Sequence, residues 1–234
     1  MRLVLLHALP LDGRMWDAVR STFSDTFAPT LYELGGSVQE WANAILDECS
    51  DEELLVVGNS VGGSCALEVA RAAPDRVRGV VLIGAKVSVR RDLRLRDEAV
   101  GVLRRDGIAA AWDRYWKPLF GADAPAAVVA GARKLALEQD VGDLVTGVRA
   151  FHDRRDHSEW LATWSGGLVS VTGAEDRIPA PRVAAASVTS EGAQQLVIDR
   201  CGHYVPLERP QTLSRIIQEE LQSSSEEVRS PTQY

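Results

Sequence analysis

Leu54-Leu55-Val56-Val57 runs without interruption into Gly58-Asn59-Ser60-Val61-Gly62-Gly63, and a helical stretch then continues to Ala73, where Pro74 stops it. No other segment restricts the fold of this chain so strongly. An unbroken apolar run of this length is the pattern of a strand buried on both faces. Glycines two before and two after Ser60 permit a strand-to-helix turn so tight that side chains at those positions would collide across it. Gly63 leaves room for the helix to pack close to the sheet. The turn strains the serine backbone and lifts its hydroxyl into the open. It also aims the free N–H groups and positive end of the following helix at any negative charge that develops there.

The same alternation recurs on both sides of this unit. Leu3-Val4-Leu5-Leu6, Val80-Val81-Leu82-Ile83, Leu168-Val169-Ser170-Val171 and Gln195-Leu196-Val197-Ile198 read as strands, with Leu31-Tyr32 as a further short one. Helical spacing marks a stretch from about Met15 to Thr22, another from Val38 to Cys49 with its apolar positions at Val38, Trp41, Ala42, Ile45 and Leu46, and a last one from about Gln211 to Leu221. Between Lys86 and Trp164 the chain is rich in Arg, Ala and Leu, with helical spacing and no convincing strand. No internal repeat of fixed period is present. The expectation is an α/β fold: a mostly parallel sheet of about six strands, covered by helices on both faces. Residues 1–85 and 165–222 form its core, 86–164 an inserted helical cap, and 223–234 a polar, disordered tail.

Composition excludes several function classes. The 234 residues suit one domain with an insertion, and 45% apolar residues allow a sizeable buried core. A net charge of −7 and a pI near 5.2 leave no basic footprint for nucleic acid or an anionic membrane. No run approaches the 18 or so apolar residues of a membrane span. The opening Met1 to His7 has too short an apolar run for a secretion signal and reads as a strand. Cys49, Cys65 and Cys201 are odd in number and widely spaced, which fits reduced thiols in a cytoplasmic protein. Cys65 reads as core. His152 and His157 lack the i, i+4 spacing of helical metal ligands and read as solvated surface, so neither a metal nor a cofactor is expected.

A reactive serine needs a base. His203, in Arg200-Cys201-Gly202-His203-Tyr204, follows the last strand, where open α/β sheets place functional groups. The base needs an acid to fix its tautomer. Thr172-Gly173-Ala174-Glu175-Asp176-Arg177 occupies the equivalent loop after the preceding strand; Asp176 is the first candidate, with Glu175 and Asp199 as alternatives. The order Ser60, Asp176, His203 differs from the orders of the chymotrypsin and subtilisin folds.

Four segments together resemble the α/β-hydrolase superfamily, enol-lactonases and small esterases in particular: His7-Ala8-Leu9-Pro10-Leu11-Asp12-Gly13, Gly58 to Gly63, Thr172 to Pro179, and Cys201 to Pro210. The resemblance spans nearly the whole chain to about Leu221. It implies Ser60 as nucleophile, His203 as general base and then acid, and Asp176 as its orienter. It also implies an oxyanion hole made by the backbone N–H groups of Leu9 and Val61. His7 would brace the oxyanion loop. The family loop usually reads His-Gly where this chain has His7-Ala8, so the backbone there must suit alanine. Family members usually begin with two additional strands, whereas two residues precede the first strand here.

Within the cap, Trp112, Tyr115, Trp116, Leu119 and Phe120 either pack a core or line a pocket; Trp112, Trp116 and, beside the histidine, Tyr204 are the candidate pocket residues. The run Arg90, Arg91, Arg94, Arg96 reads as a solvated face; the alternative is an anion site, which would imply carboxylate-bearing substrates. The expected activity is cofactor-free serine hydrolysis of a carboxylic ester or lactone of a small, partly apolar metabolite, by a protein that could form homo-oligomers. C–C bond hydrolysis, lyase or haloperoxidase chemistry on the same residues is the enzymatic alternative. A ligand-binding member without turnover is the non-enzymatic one.

Overall fold

The computed structural model describes residues 1–89, 91–179 and 192–227. Six strands form one parallel sheet: β1 (Arg2–Leu6), β2 (Thr26–Phe27), β3 (Leu54–Asn59), β4 (Val77–Ile83), β5 (Gly167–Gly173) and β6 (Gln194–Ile198), in the order β2-β1-β3-β4-β5-β6. Consecutive strand residues point to opposite faces, yet Val80, Val81, Leu82 and Ile83 are all fully buried. Both faces are therefore covered in the middle of the sheet, which is why β1, β3 and β4 read as continuous apolar runs rather than alternating ones, whereas the edge strand β6 is largely exposed. One cover contains α2 (Val38–Glu48) and α3 (Val61–Ala72); the other contains α1 (Asp17–Arg20) and the C-terminal helix Pro210–Glu227, and β4 packs against both α3 and the C-terminal helix.

From β1 the chain first steps outward to β2, then returns past β1 to β3 and continues the other way. The carboxyl ends of β1 and β3 thus flank the point where strand order reverses, the place where open α/β sheets leave a crevice. Helices α4 (Leu93–Ala111), α5 (Ala126–Leu137), α6 (Val141–Asp153) and α7 (Ser158–Leu161) all lie between β4 and β5, and no described residue of that stretch is in a strand.

Two sequence expectations are corrected here. Leu31-Tyr32 is not a strand but the start of a 3-10 turn, Leu31–Leu34; the second strand is Thr26–Phe27. The Leu31 N–H is spent on His7 Nε2 (2.8 Å) rather than on a neighbouring strand, and the Tyr32 hydroxyl donates to the Leu11 carbonyl (3.0 Å). The last helix does not end near Leu221 but runs to Glu227, and Ser223 Oγ donates to the Glu219 carbonyl at 3.1 Å. The remainder of the expected disordered tail, 228–234, lies outside the described residues, as does Arg90.

Candidate active site

Ser60 sits between β3 and α3 with φ 58° and ψ −116°, a conformation that side chains other than hydrogen rarely adopt. The flanking glycines explain how so sharp a turn is packed. A Cβ on Gly58 would lie 2.2 Å from the Gly62 carbonyl oxygen, the collision the spacing implied. A Cβ on Gly62 would lie 2.2 Å from the Leu6 carbonyl oxygen and 2.7 Å from that of His7. Glycine at position 62 therefore lets the first turn of α3 touch the end of β1, which brings the Leu9 loop beside the N-terminus of α3. Val61 is the first residue of α3, at the positive end of its dipole.

His203 and Asp176 arrive from the loops after β6 and β5. His203 Nδ1 and Asp176 Oδ2 are 2.8 Å apart, and both side chains are almost completely buried. The other carboxylate oxygen accepts from the Ile178 N–H at 2.7 Å, so Asp176 is held at both ends. Neither alternative acid reaches the histidine. Glu175 is exposed and accepts from the Ala122 N–H at 2.7 Å, and Asp199 is exposed in the turn after β6.

Ser60 and His203 line one cavity of about 350 Å3 together with Leu9. The Ser60 hydroxyl makes no hydrogen bond among the described residues; in such sites the serine–histidine contact commonly closes only around a substrate.

Asn59 and Glu208 stand behind this pair, and sequence reasoning gave neither of them a role. Asn59 is buried, and its Nδ2 donates to the carbonyls of Ile83 (3.0 Å) and His203 (3.1 Å), tying the histidine backbone to the strand that carries Ser60. Glu208, in the short helix Val205–Glu208, accepts from the N–H groups of Gly121 (3.0 Å) and Gly202 (3.1 Å), while the His203 N–H donates to the Leu119 carbonyl (2.8 Å). The histidine loop is thereby fastened to the segment that follows α4. Burial raises the Glu208 carboxyl above its ordinary range, with these backbone donors pulling the other way. Both residues lie inside motifs legible in the sequence, but only their three-dimensional partners reveal what they hold.

His7 is fully buried, and burial pushes it down to about 4. It is neutral, with Nδ1–H toward the Ala8 carbonyl (3.2 Å) and Nε2 accepting from Leu31. Ala8 is not among the residues of positive φ, so alanine fits the loop without strain. The low value has a consequence for stability. Between about pH 4 and the unfolded value of 6.5 the unfolded chain binds the extra proton, so this contribution is whole above 6.5 and is lost as the pH falls toward 4. Its size is about 3 kcal/mol. Urea titrations of the wild type and of His7→Gln should show the wild type losing about 2 to 3 kcal/mol more between pH 7.5 and 4.5. Parallel losses would mean that His7 accepts its proton in the folded state.

Of the expected pocket residues, the structure brings only Trp116 to the wall of this cavity. Trp112 is fully buried and packs near Phe120 (ring centroids 6.0 Å), an anchor of the inserted segment rather than a substrate contact. Tyr204 is also fully buried; its hydroxyl donates to the Leu9 carbonyl (3.0 Å) and its ring lies on Phe120 at 4.7 Å, so it props the Leu9 loop from behind. Tyr115 and Leu119 of the same cap cluster also line it, joined by residues the sequence gave no pocket role: Leu95 and Ala99 of α4, and Val148, Phe151 and His152 of α6. His152 and His157 are buried, not solvated. His152 faces the cavity, and His157 Nε2 pairs with Glu68 of α3 at 3.0 Å. Cys65 is buried within α3, as expected of core.

The sequence profile described as the alpha/beta hydrolase family matches residues 3–216. The chain belongs to that family. Among solved structures it superimposes on a thermophilic esterase from Thermogutta terrifontis with a TM-score of 0.88 at 22% identity, over 96% of this chain and 90% of that one. It likewise superimposes on the enol-lactonase from Burkholderia xenovorans with a TM-score of 0.82 at 18% identity, over 94% and 90%. At these identities the likeness is one of fold. A curated relative, the pimeloyl-[acyl-carrier protein] methyl ester esterase of Aromatoleum aromaticum, is 35% identical over 91 residues, which cover 35% of this chain and 36% of that relative. No helix among the described residues is long and apolar enough to cross a membrane.

Proposed function

We propose that this family member is a serine hydrolase that cleaves a carboxylic ester or lactone of a small, partly apolar molecule. The observation that carries the reading is the buried His203–Asp176 contact of 2.8 Å opening onto the same cavity as Ser60. Ser60 Oγ attacks the carbonyl carbon while His203 Nε2 takes its proton, and the carbonyl oxygen becomes an oxyanion facing the N–H groups of Leu9 and Val61. The C–O bond to the alcohol breaks as His203 returns the proton to the departing oxygen. Water then gives a proton to His203 and its oxygen to the acyl carbon. Collapse of this second tetrahedral species breaks the bond to Ser60 Oγ, to which His203 returns that proton, releasing the acid and restoring the serine. Asp176 keeps Nδ1 protonated throughout, so that Nε2 is the free base.

The apolar wall of Leu9, Ala99, Trp116, Val148 and Phe151 supports a partly apolar acyl or alcohol group, and the inserted helices supply most of it, as a cap over the serine would. Three free, buried cysteines fit a reducing compartment and hence the cytoplasm. A fluorophosphonate probe should label the protein at Ser60, identified by mass spectrometry, and the label should vanish in Ser60→Ala. Failure of the folded wild type to label would overturn the reading in favour of a binding protein.

A further inference from the structure

Ser60 borders a second lobe of about 560 Å3, which shares Leu95, Phe151, His152 and Ile178 with the first. Its wall differs in kind, carrying, among the described residues, Lys86, Arg91 and Arg154 against one carboxylate, Asp92. Asp92 already accepts from the Leu95 N–H at 2.9 Å as the N-cap of α4.

Arg154 is the unusual member. Its side chain is buried at the end of α6, 8% exposed, with the guanidinium 4.0 Å above the Phe151 ring. Nη1 donates to the Phe151 carbonyl, but Nε is buried with no hydrogen-bond partner, and among the described residues no carboxylate pairs with this guanidinium. Asp156, the nearest acid in sequence, spends its two oxygens on the N–H groups of Ser158 and Val89, both at 2.9 Å. Burial pulls Arg154 down to about 10, so it stays charged at neutral pH. Asp156 attracts it only through space, without an ion pair, and a cation withdrawn from water without a paired carboxylate is costly. Arg154 also lines the cavity that holds Ser60.

We propose that this lobe is a carboxylate subsite, in which Arg154, aided by Lys86 and Arg91, binds a free carboxylate of the substrate while Ser60 attacks an ester elsewhere in the same molecule. The substrate is then a monoanionic ester, such as the half-ester of a dicarboxylic acid or an ester of a hydroxy acid. A carboxylate suits the wall better than a phosphate, because the Asp92 carboxylate on it penalises a second negative charge, and the guanidinium edge matches a planar pair of oxygens. This assignment rests on the esterase reading of Ser60.

The test compares matched esters of equal length in two series, with the distal group in the acyl part of one and in the alcohol part of the other, and with carboxylate, methyl or phosphonate as that group. In one series the wild type should favour the carboxylate ester over the methyl one by at least about tenfold in kcat/KM. Arg154→Met should lower that ratio by about tenfold, and Arg154→Lys should fall between. Equal rates for carboxylate and methyl esters in both series, a ratio unchanged in Arg154→Met, or a preference for phosphonate overturns the assignment. Should Arg154→Met fail to fold, the wild-type ratio and Arg154→Lys decide. Calorimetric titration with glutarate separates the two readings. Glutarate binding that Arg154→Lys weakens, with no ester turned over, would sink the esterase reading alone; turnover of uncharged esters without glutarate binding would sink the subsite alone.

Discussion

Ser60→Ala should lose at least about a thousandfold in kcat on any ester the wild type cleaves, while unfolding within about 0.5 kcal/mol of it. The asymmetry follows from what the hydroxyl does and does not touch. Among the described residues it holds no hydrogen bond, so its removal leaves no buried group unpaired, and alanine keeps the Cβ that the turn already accommodates at φ 58°. What disappears is the bond to the acyl group. The His203–Asp176 pair would remain assembled but would have only water to activate, leaving the residual rate that the oxyanion donors and substrate binding supply by themselves. Steady-state kinetics with an ester substrate, paired with urea unfolding, check both halves. Near-wild-type turnover in the variant would remove Ser60 from the chemistry.

Asp176→Asn should be almost as damaging, with a loss on the order of ten-thousandfold in kcat and little change in KM. One carboxylate oxygen accepts from the Ile178 N–H, which would fix the asparagine carbonyl there and turn its NH2 toward His203. The imidazole would then have to accept at Nδ1 and carry its proton on Nε2, the nitrogen that must act as base toward Ser60 in the proposed reaction. That tautomer cannot take the serine proton. The substitution is close to isosteric, so the defect lies in proton placement rather than in packing, and fluorophosphonate labelling should slow in parallel with turnover. Glu175→Gln and Asp199→Asn should keep wild-type turnover, since both positions are exposed and neither contacts His203. A full loss in Glu175→Gln together with a mild effect in Asp176→Asn would reassign the acid.

Much of this architecture is legible in the sequence for a physical reason. A strand buried on both faces carries mostly apolar side chains, so Leu3 to Leu6, Leu54 to Val57 and Val80 to Ile83 reveal themselves as runs. The turn at Ser60 is equally local, because glycine at 58 and 62 is demanded by atoms only a few residues or one strand away. Leu31-Tyr32 misled for the converse reason. Two apolar residues are compatible with a strand or with a turn that buries them, and the choice fell to a distant imidazole that takes the Leu31 N–H. Trp112 and Tyr204 show the same limit: aromatic residues near a site are needed both as walls and as props, and the sequence carries no sign of which face each ring presents.

By itself, then, the sequence determined the parallel α/β class, the strained turn at Ser60 and a histidine and an acidic cluster at strand ends, all of which follow from short-range sterics and periodicity. Only the tertiary structure decided which acid meets His203, which side chains wall the cavity, and that Arg154 lines it with no ion pair among the described residues. Those outcomes depend on contacts between residues far apart in the chain, whose distances are set by how sheet and inserted helices pack and leave no mark on local residue patterns.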